Sequence, residues 1–306
     1  MAHVEIRKAG WLTTVQDGGR WGFQGRGVPV AGPMDWWAYQ LANRLVANEP
    51  GAAAFEVTMG GPDVVFSDDV WFAATGARFP LALNGEPLEM DRAAVGRAGA
   101  TLSFGMRSRG ARGYLAVAGG FVVPTMLGSR STHLVSRTGG LEGRPLRLGD
   151  RVPIGSAGSD LNLNRRVPEP LLPERGARLR VLPGPHVAQL TRASLDALHG
   201  SRYIVSARSD RMGYRLGGVA LARRADAPEL ISGVTVMGAV QVPPSGDPIL
   251  LMADRATTGG YPVAAVVITG DLPLAGQLAP GDWIEFTPCT REEALEALRV
   301  RRRALP

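Results

Sequence analysis

Apolar residues recur along this chain in short runs separated by turn-forming residues, and most runs are too short for helices. The runs predict strands at Val4–Arg7, Leu12–Val15, Phe55–Val57, Val64–Phe66, Val70–Ala74, Leu81–Leu83, Leu102–Phe104 and Tyr114–Val117. Asn84-Gly85, between Leu83 and Pro87, is a hairpin-type turn pair. One helical period interrupts this half, over Pro33–Asn48. Met34, Trp37, Ala38, Leu41, Leu45 and Val46 fall on one face, Pro33 suits the first helical position, and Asp35 lies in the first turn, where the dipole favours an acid. The later half repeats the plan without a residue-level repeat. A strand at Leu179–Leu182 precedes a helix at His186–Leu198 that Gly200 closes. Strands follow at Tyr203–Val205, Val234–Val242, Ile249–Met252, Val263–Ile268 and Trp283–Phe286. Thr290 with Glu293 forms a capping box for a last helix. Regular short strands of this kind predict closed or nearly closed barrels. The polar, Pro-rich stretch 151–175 reads as the linker, giving domains over 1–165 and 166–306, the second ending in a basic helix.

Composition sharpens this picture. The 306 residues include 40 Gly and 23 Pro, with no fibrous period, which fits many turns in a mainly β fold. The formal charge is +6, and Lys8 is the only lysine, so the basicity comes from arginine. Only Arg299, Arg301, Arg302 and Arg303 form a run. The spread argues against a nucleic-acid partner; a surface that attracts small anions, or an arginine-biased genome, explains the charge equally well. The missing lysines exclude a phosphate-binding Gly-Lys-Ser/Thr loop. His3, His133, His186 and His199 lack metal-ligand spacing, so no metal is expected. Cys289 is alone and reads as a packed residue. No Gly-x-Ser-x-Gly elbow occurs. Without a basic-then-apolar leader or an apolar run long enough for a membrane span, the chain is expected in the cytoplasm, away from membranes.

Three polar constellations lie in turns beside apolar runs. Gln16-Asp17-Gly18-Gly19-Arg20 sets an amide, an acid and a guanidinium among glycines; it either holds a polar ligand or forms an Asx-type turn. Ser209-Asp210-Arg211-Met212-Gly213-Tyr214-Arg215-Leu216 flanks Tyr214 with two Arg forks that match carboxylate or phosphate, or else forms a charged hairpin. The third runs from Gln241 through Asp254-Arg255-Ala256-Thr257-Thr258-Gly259-Gly260-Tyr261. Here an acid, a fixed cation and two hydroxyls follow one strand end, a group able to orient an amide and stabilise an oxyanion; the other reading is a tight turn. Gly128-Ser129-Arg130-Ser131-Thr132 is a further hydroxyl-rich turn, open to an anion or satisfied internally. Trp36, Trp37 and Tyr39 read as core and interface.

These stretches carry a resemblance. Gln16–Arg20, Gly32-Pro33-Met34-Asp35, Leu41–Leu45, Ala116–Gly120 with Gly128–Thr132, Leu182–Pro185, Ser209–Leu216, Asp254–Pro262, Asp271-Leu272-Pro273, Gln277-Leu278 and Pro280-Gly281 are similar, in order, to the family of allophanate hydrolase subunit 2, KipA and the 5-oxoprolinase C component. The resemblance implies two cyclophilin-like β-barrel domains with a few helices. It implies a component of an ATP-dependent 5-oxoprolinase, opening a lactam to glutamate together with an A component and a KipI-like B component. Alternatives are the carboxyltransferase part of a biotin-dependent urea or amide carboxylase, with carboxybiotin as co-substrate, or a KipA-like regulator that binds a KipI-like protein. The chain has no biotin-carboxylase region and no biotin-bearing Met-Lys-Met segment, so no covalent cofactor is expected on it; ATP would be used by the complex. The expected catalytic residues are Asp254, Arg255 and Asp17. The expected substrate contacts are Gln16, Arg211, Tyr214, Arg215, Gln241, Thr257, Thr258, Gly259, Gly260 and Tyr261.

Overall fold

Alternation with period two sorts the first half's side chains between two layers. The computed structural model describes residues 1–158 and 167–305, and the chain divides into two compact units. The first holds Met1–Arg20, Ala31–Leu172 and Arg303–Pro306; the second holds Trp21–Val30 and Pro173–Arg302. The expected boundary at 165/166 lies outside the described residues.

The first unit contains β1 (His3–Lys8), β2 (Leu12–Gln16), β3 (Ala54–Thr58), β4 (Asp63–Phe66), β5 (Val70–Arg78), β6 (Leu81–Leu83), β7 (Glu86–Leu88), β8 (Ala93–Gly96), β9 (Thr101–Phe104), β10 (Arg109–Val117) and β11 (Arg151–Pro153). One sheet has the order β11-β1-β4-β9-β6-β7 and the other β2-β3-β10-β5-β8. Phe55, Val57, Phe72, Leu115 and Val117 point from the second sheet into the main apolar core with Val4, Ile6, Val64 and Phe66. Their neighbours Ala54, Ala73, Tyr114 and Ala116 point the other way, against α1 (Trp36–Leu45). Burying each large apolar side chain stabilises the fold by about 1.5–3 kcal/mol.

Three expectations for this half shift. The helix starts at Trp36, later than Pro33, because Asp35 stays extended (φ −116°, ψ 92°) and its carboxylate accepts from the Trp37 and Ala38 N–H groups at 3.0 and 2.9 Å. It ends at Leu45, and Asn48 serves the sheet instead, donating to the Val117 carbonyl and accepting from Gly119 N–H, both at 2.8 Å. The stretch read as linker from residue 151 opens with β11, which pairs with β1. The Asn84-Gly85 turn joins β6 to β7 with both residues left-handed (φ 53° and 87°), as that turn type requires.

The second unit is a closed seven-stranded barrel, β12-β19-β16-β17-β14-β13-β20. Its strands are β12 (Gly176–Pro183), β13 (Tyr203–Val205), β14 (Gly213–Gly217), β16 (Ala239–Gln241), β17 (Ile249–Leu251), β19 (Val263–Val267) and β20 (Trp283–Pro288). A separate ribbon pairs β15 (Gly233–Val234) with β18 (Thr258–Gly259). The single strand expected over Val234–Val242 is therefore two. Gly238, at φ 90°, turns the chain between them. The helix expected over His186–Leu198 is also divided. A short 3-10 turn at Val187–Gln189 is followed by extended Leu190, and Thr191 then caps α2 (Arg192–Gly200) by accepting from Ser194 N–H at 3.2 Å. α3 (Leu272–Gly276) follows β19. α4 (Arg291–Arg303) carries the expected box: Thr290 N–H donates to Glu293 Oε2 at 2.7 Å, and Glu293 N–H donates to Thr290 Oγ1 at 3.1 Å. The mainly β class thus holds in both units.

Candidate functional site

The β14–β17 ladder brings two of the three constellations together. Gly213 pairs with Leu251, and the backbone pairing continues past the strands: Met252 N–H donates to Met212 O at 2.9 Å and Asp254 N–H to Arg211 O at 2.8 Å. Asp210 Oδ1 fixes the turn before β14 by accepting from Met212 and Gly213 N–H. Arg211 and Asp254 then meet as a two-pronged ion pair, Nε to Oδ2 at 3.0 Å and Nη2 to Oδ1 at 2.9 Å. Both are buried, at 5% and 1% side-chain exposure. Two charges stay in a protein interior only with geometry of this quality.

Arg255, the next residue, is in a different state. It is 9% exposed. Among the described residues its solvent-sealed Nε has no acceptor, and Nη1 has only a 3.5 Å contact to Met252 O. Burial pushes its guanidinium below the ordinary arginine value, with the charge of Asp254 opposing. The group is still a cation at physiological pH. Among the described residues no carboxylate pairs with it.

Gln241 ends β16 and is 5% exposed. Its amide makes no hydrogen bond with any described residue. Gly259 lies against it: a Cβ there would stand 2.6 Å from Gln241 Nε2. The loop from Asp254 to Tyr261 is held to its neighbour by Thr235, whose N–H donates to Thr257 O at 3.0 Å and whose hydroxyl donates to Ala256 O. Thr258, Gly260 and Tyr261 are exposed, and Thr257 is half-buried. Tyr214 is buried, its hydroxyl donating to Leu278 O at 3.4 Å, whereas Arg215 is exposed. The sequence reading missed Thr235, because a continuous strand over 234–242 made it one more alternating position.

Gln16 and Asp17 belong to the first unit. Asp17 Oδ1 accepts from Ser129 Oγ and Ser131 Oγ, both at 2.6 Å, and from Gly19 N–H at 2.9 Å; Oδ2 accepts from Arg130 N–H. Arg20, 1% exposed, donates to the carbonyls of Met126 and Ser131 at 2.9 Å each. The hydroxyl-rich turn 128–132 is thus the partner of the first constellation. Gln16 Nε2 donates to Thr14 Oγ1 and Thr132 O, and its buried Oε1 has no hydrogen-bond partner among the described residues. Trp37 and Tyr39 are buried against the sheet, and burial, then the charge of Asp17, pushes the Tyr39 phenol far up. Among the described residues no group of His, Cys, Asp and Glu gathers as around a metal ion, and no helix is long and apolar enough to cross a membrane.

Comparison with known proteins gives a consistent set of relatives. The model of the carboxyltransferase domain, subdomains A and B, matches residues 26–288. The chain is 44% identical over 300 residues to the C subunit of Escherichia coli 5-oxoprolinase, covering 98% of this chain and 96% of that protein. It is 37% identical to the C subunit of Haemophilus influenzae 5-oxoprolinase, covering 97% and 94%. Urea amidolyase of Saccharomyces cerevisiae is 32% identical over 95% of this chain, which spans only 17% of that longer protein. Among solved structures, the Kluyveromyces lactis urea carboxylase superposes with a TM-score of 0.93 at 30% identity, over 99% of this chain and 29% of that one. TTHA0988 superposes with a TM-score of 0.85 at 38% identity, over 94% and 55%.

Proposed function

The chain belongs to the carboxyltransferase-domain family of subdomains A and B, and from that premise we propose that it is the C component of an ATP-dependent 5-oxoprolinase. It works there with an A component and a KipI-like B component, in the cytoplasm, and the complex opens a lactam to glutamate. The observation that carries this is near-complete, two-way coverage of two proteins named as the C subunit of 5-oxoprolinase, at 44% and 37% identity.

The lactam ring offers a planar amide, and 5-oxoproline adds a carboxylate. Gln241 suits the amide, because a buried carboxamide with free donors and a free acceptor can hydrogen-bond both C=O and N–H. The loop Asp254–Tyr261 is proposed as the substrate-facing wall, with Thr257 and Thr258 offering hydroxyls and Gly259 and Gly260 close backbone approach. Tyr214 and Arg215, on β14 beside β17, are the further contacts proposed within this unit. Of the two roles open to Asp254 and Asp17, orienting others is the one their hydrogen bonds support, since every carboxylate oxygen already accepts from at least one donor. In ring opening, water oxygen joins the carbonyl carbon, the C–N bond breaks, and the nitrogen leaves with a proton. ATP chemistry is assigned to the complex, and no step of it to this chain.

The test is glutamate release from 5-oxoproline with ATP, using purified A and B components with and without this chain. Release should need all three; undiminished release without this chain would remove the proposal. The carboxylase likeness supports a second reading, carboxyl transfer from carboxybiotin to an amide nitrogen. It requires a biotin carrier protein to deliver label from bicarbonate to an amide when this chain is added.

A further inference from the structure

Sequence places three arginines where an anion could be held, and the structure separates them. Arg211 is engaged by both oxygens of Asp254. Arg215 is exposed, where a guanidinium competes with water for any anion. Among the described residues, Arg255 alone of the three is both buried and without a carboxylate of its own. Leaving a buried cation uncompensated is strongly unfavourable, so a fold that does so here invites an anion from outside. A guanidinium fork matches the planar, two-oxygen carboxylate. The Arg255 loop also carries Gly259, which lies against the free Gln241 amide.

We propose that Arg255 is the anion anchor of this site and that it binds the carboxylate of a small carboxylated lactam or amide, with Gln241 taking the amide. The Arg211–Asp254 pair is then a positioning device: its bonds and the Asp254 N–H to Arg211 O contact fix the turn from which Arg255 projects. This inference rests on the lactam reading for the ligand's ring, but the anion anchor can be tested without it.

The experiment uses the full chain alone. Melting temperature and calorimetric affinity are measured with 5-oxoproline, with 2-pyrrolidinone, which is the same ring without the carboxylate, and with inorganic phosphate. Wild type should bind 5-oxoproline and discriminate against 2-pyrrolidinone by roughly 10- to 100-fold. Arg255→Gln should lose that discrimination, and Arg255→Lys should keep part of it, because the charge remains while the fork is gone. Arg255→Met without ligand should melt no lower than wild type, since an uncompensated buried charge has been removed. Equal binding of the two lactams, unchanged 5-oxoproline binding by Arg255→Gln, Arg255-dependent binding of phosphate but not 5-oxoproline, no binding of any probe, or a large loss of stability in Arg255→Met would each overturn the assignment. If the three-component complex releases no glutamate while Arg255 still selects the carboxylated ring, the 5-oxoprolinase reading fails and the anchor stands.

Discussion

At the residue scale, two neighbours on one loop have opposite energetics. Asp254 and Arg211 satisfy each other in the interior. Removing one partner breaks a buried, two-pronged ion pair, so Asp254→Ala should lower stability by about 3–5 kcal/mol in urea unfolding. Replacing both, as Arg211→Met with Asp254→Leu, should recover most of that loss, because two buried charges leave together. A single substitution as harmless as the double would mean that the pair is wetter than its 5% and 1% exposures indicate. Gly259 makes a different prediction. Its φ lies outside the left-handed region, so alanine meets no backbone strain, but the new Cβ would come within 2.6 Å of Gln241 Nε2 and push the amide aside. In the reconstituted complex Gly259→Ala should raise KM for 5-oxoproline about 10-fold or more, the worth of one misplaced hydrogen bond or two. Its melting temperature should stay near wild type. An unchanged KM would remove Gln241 from the binding surface.

At the element scale, the strands were legible wherever alternation continued without a special residue, and the errors fall where one side chain or glycine redirects the backbone. Phe55, Val57, Leu115 and Val117 announce one buried face, and the structure places them in one core. Asp35, by contrast, reads from its spacing as a first-turn acid, and only its hydrogen bonds show that it is the cap. Thr191 divides the second helix in the same way, and Gly238 divides a strand. The first constellation was half legible. Its acid and guanidinium were visible, but their partners lie more than a hundred residues on, at Ser129 and Ser131, and no local spacing reveals that. The cap gives a direct test. Asp35→Ala removes the acceptor of two first-turn N–H groups and should cost about 0.5–2 kcal/mol in urea unfolding. Asp35→Asn should cost less, because an amide oxygen can still accept there. If the two variants unfold alike, the cap is not what starts α1 at Trp36.

At the scale of the whole molecule, the charge that composition reveals and the charge that the fold buries should act differently on the same ligand. The formal +6 is spread over exposed arginines, and its field draws anions only through solvent. Salt screens that field, with a Debye length that contracts from about 30 Å at 0.01 M to about 3 Å at 1 M. Arg255, at 9% exposure, acts at contact distance in a largely buried setting, where mobile ions screen less. Affinity of the chain for 5-oxoproline should therefore fall by roughly 3- to 10-fold over that salt range and then level off. The residual preference over 2-pyrrolidinone at 1 M should depend on Arg255, and the affinity for neutral 2-pyrrolidinone should change little with salt. A preference that vanishes completely at 1 M would mean that the diffuse surface charge, and not one buried guanidinium, selects the anion.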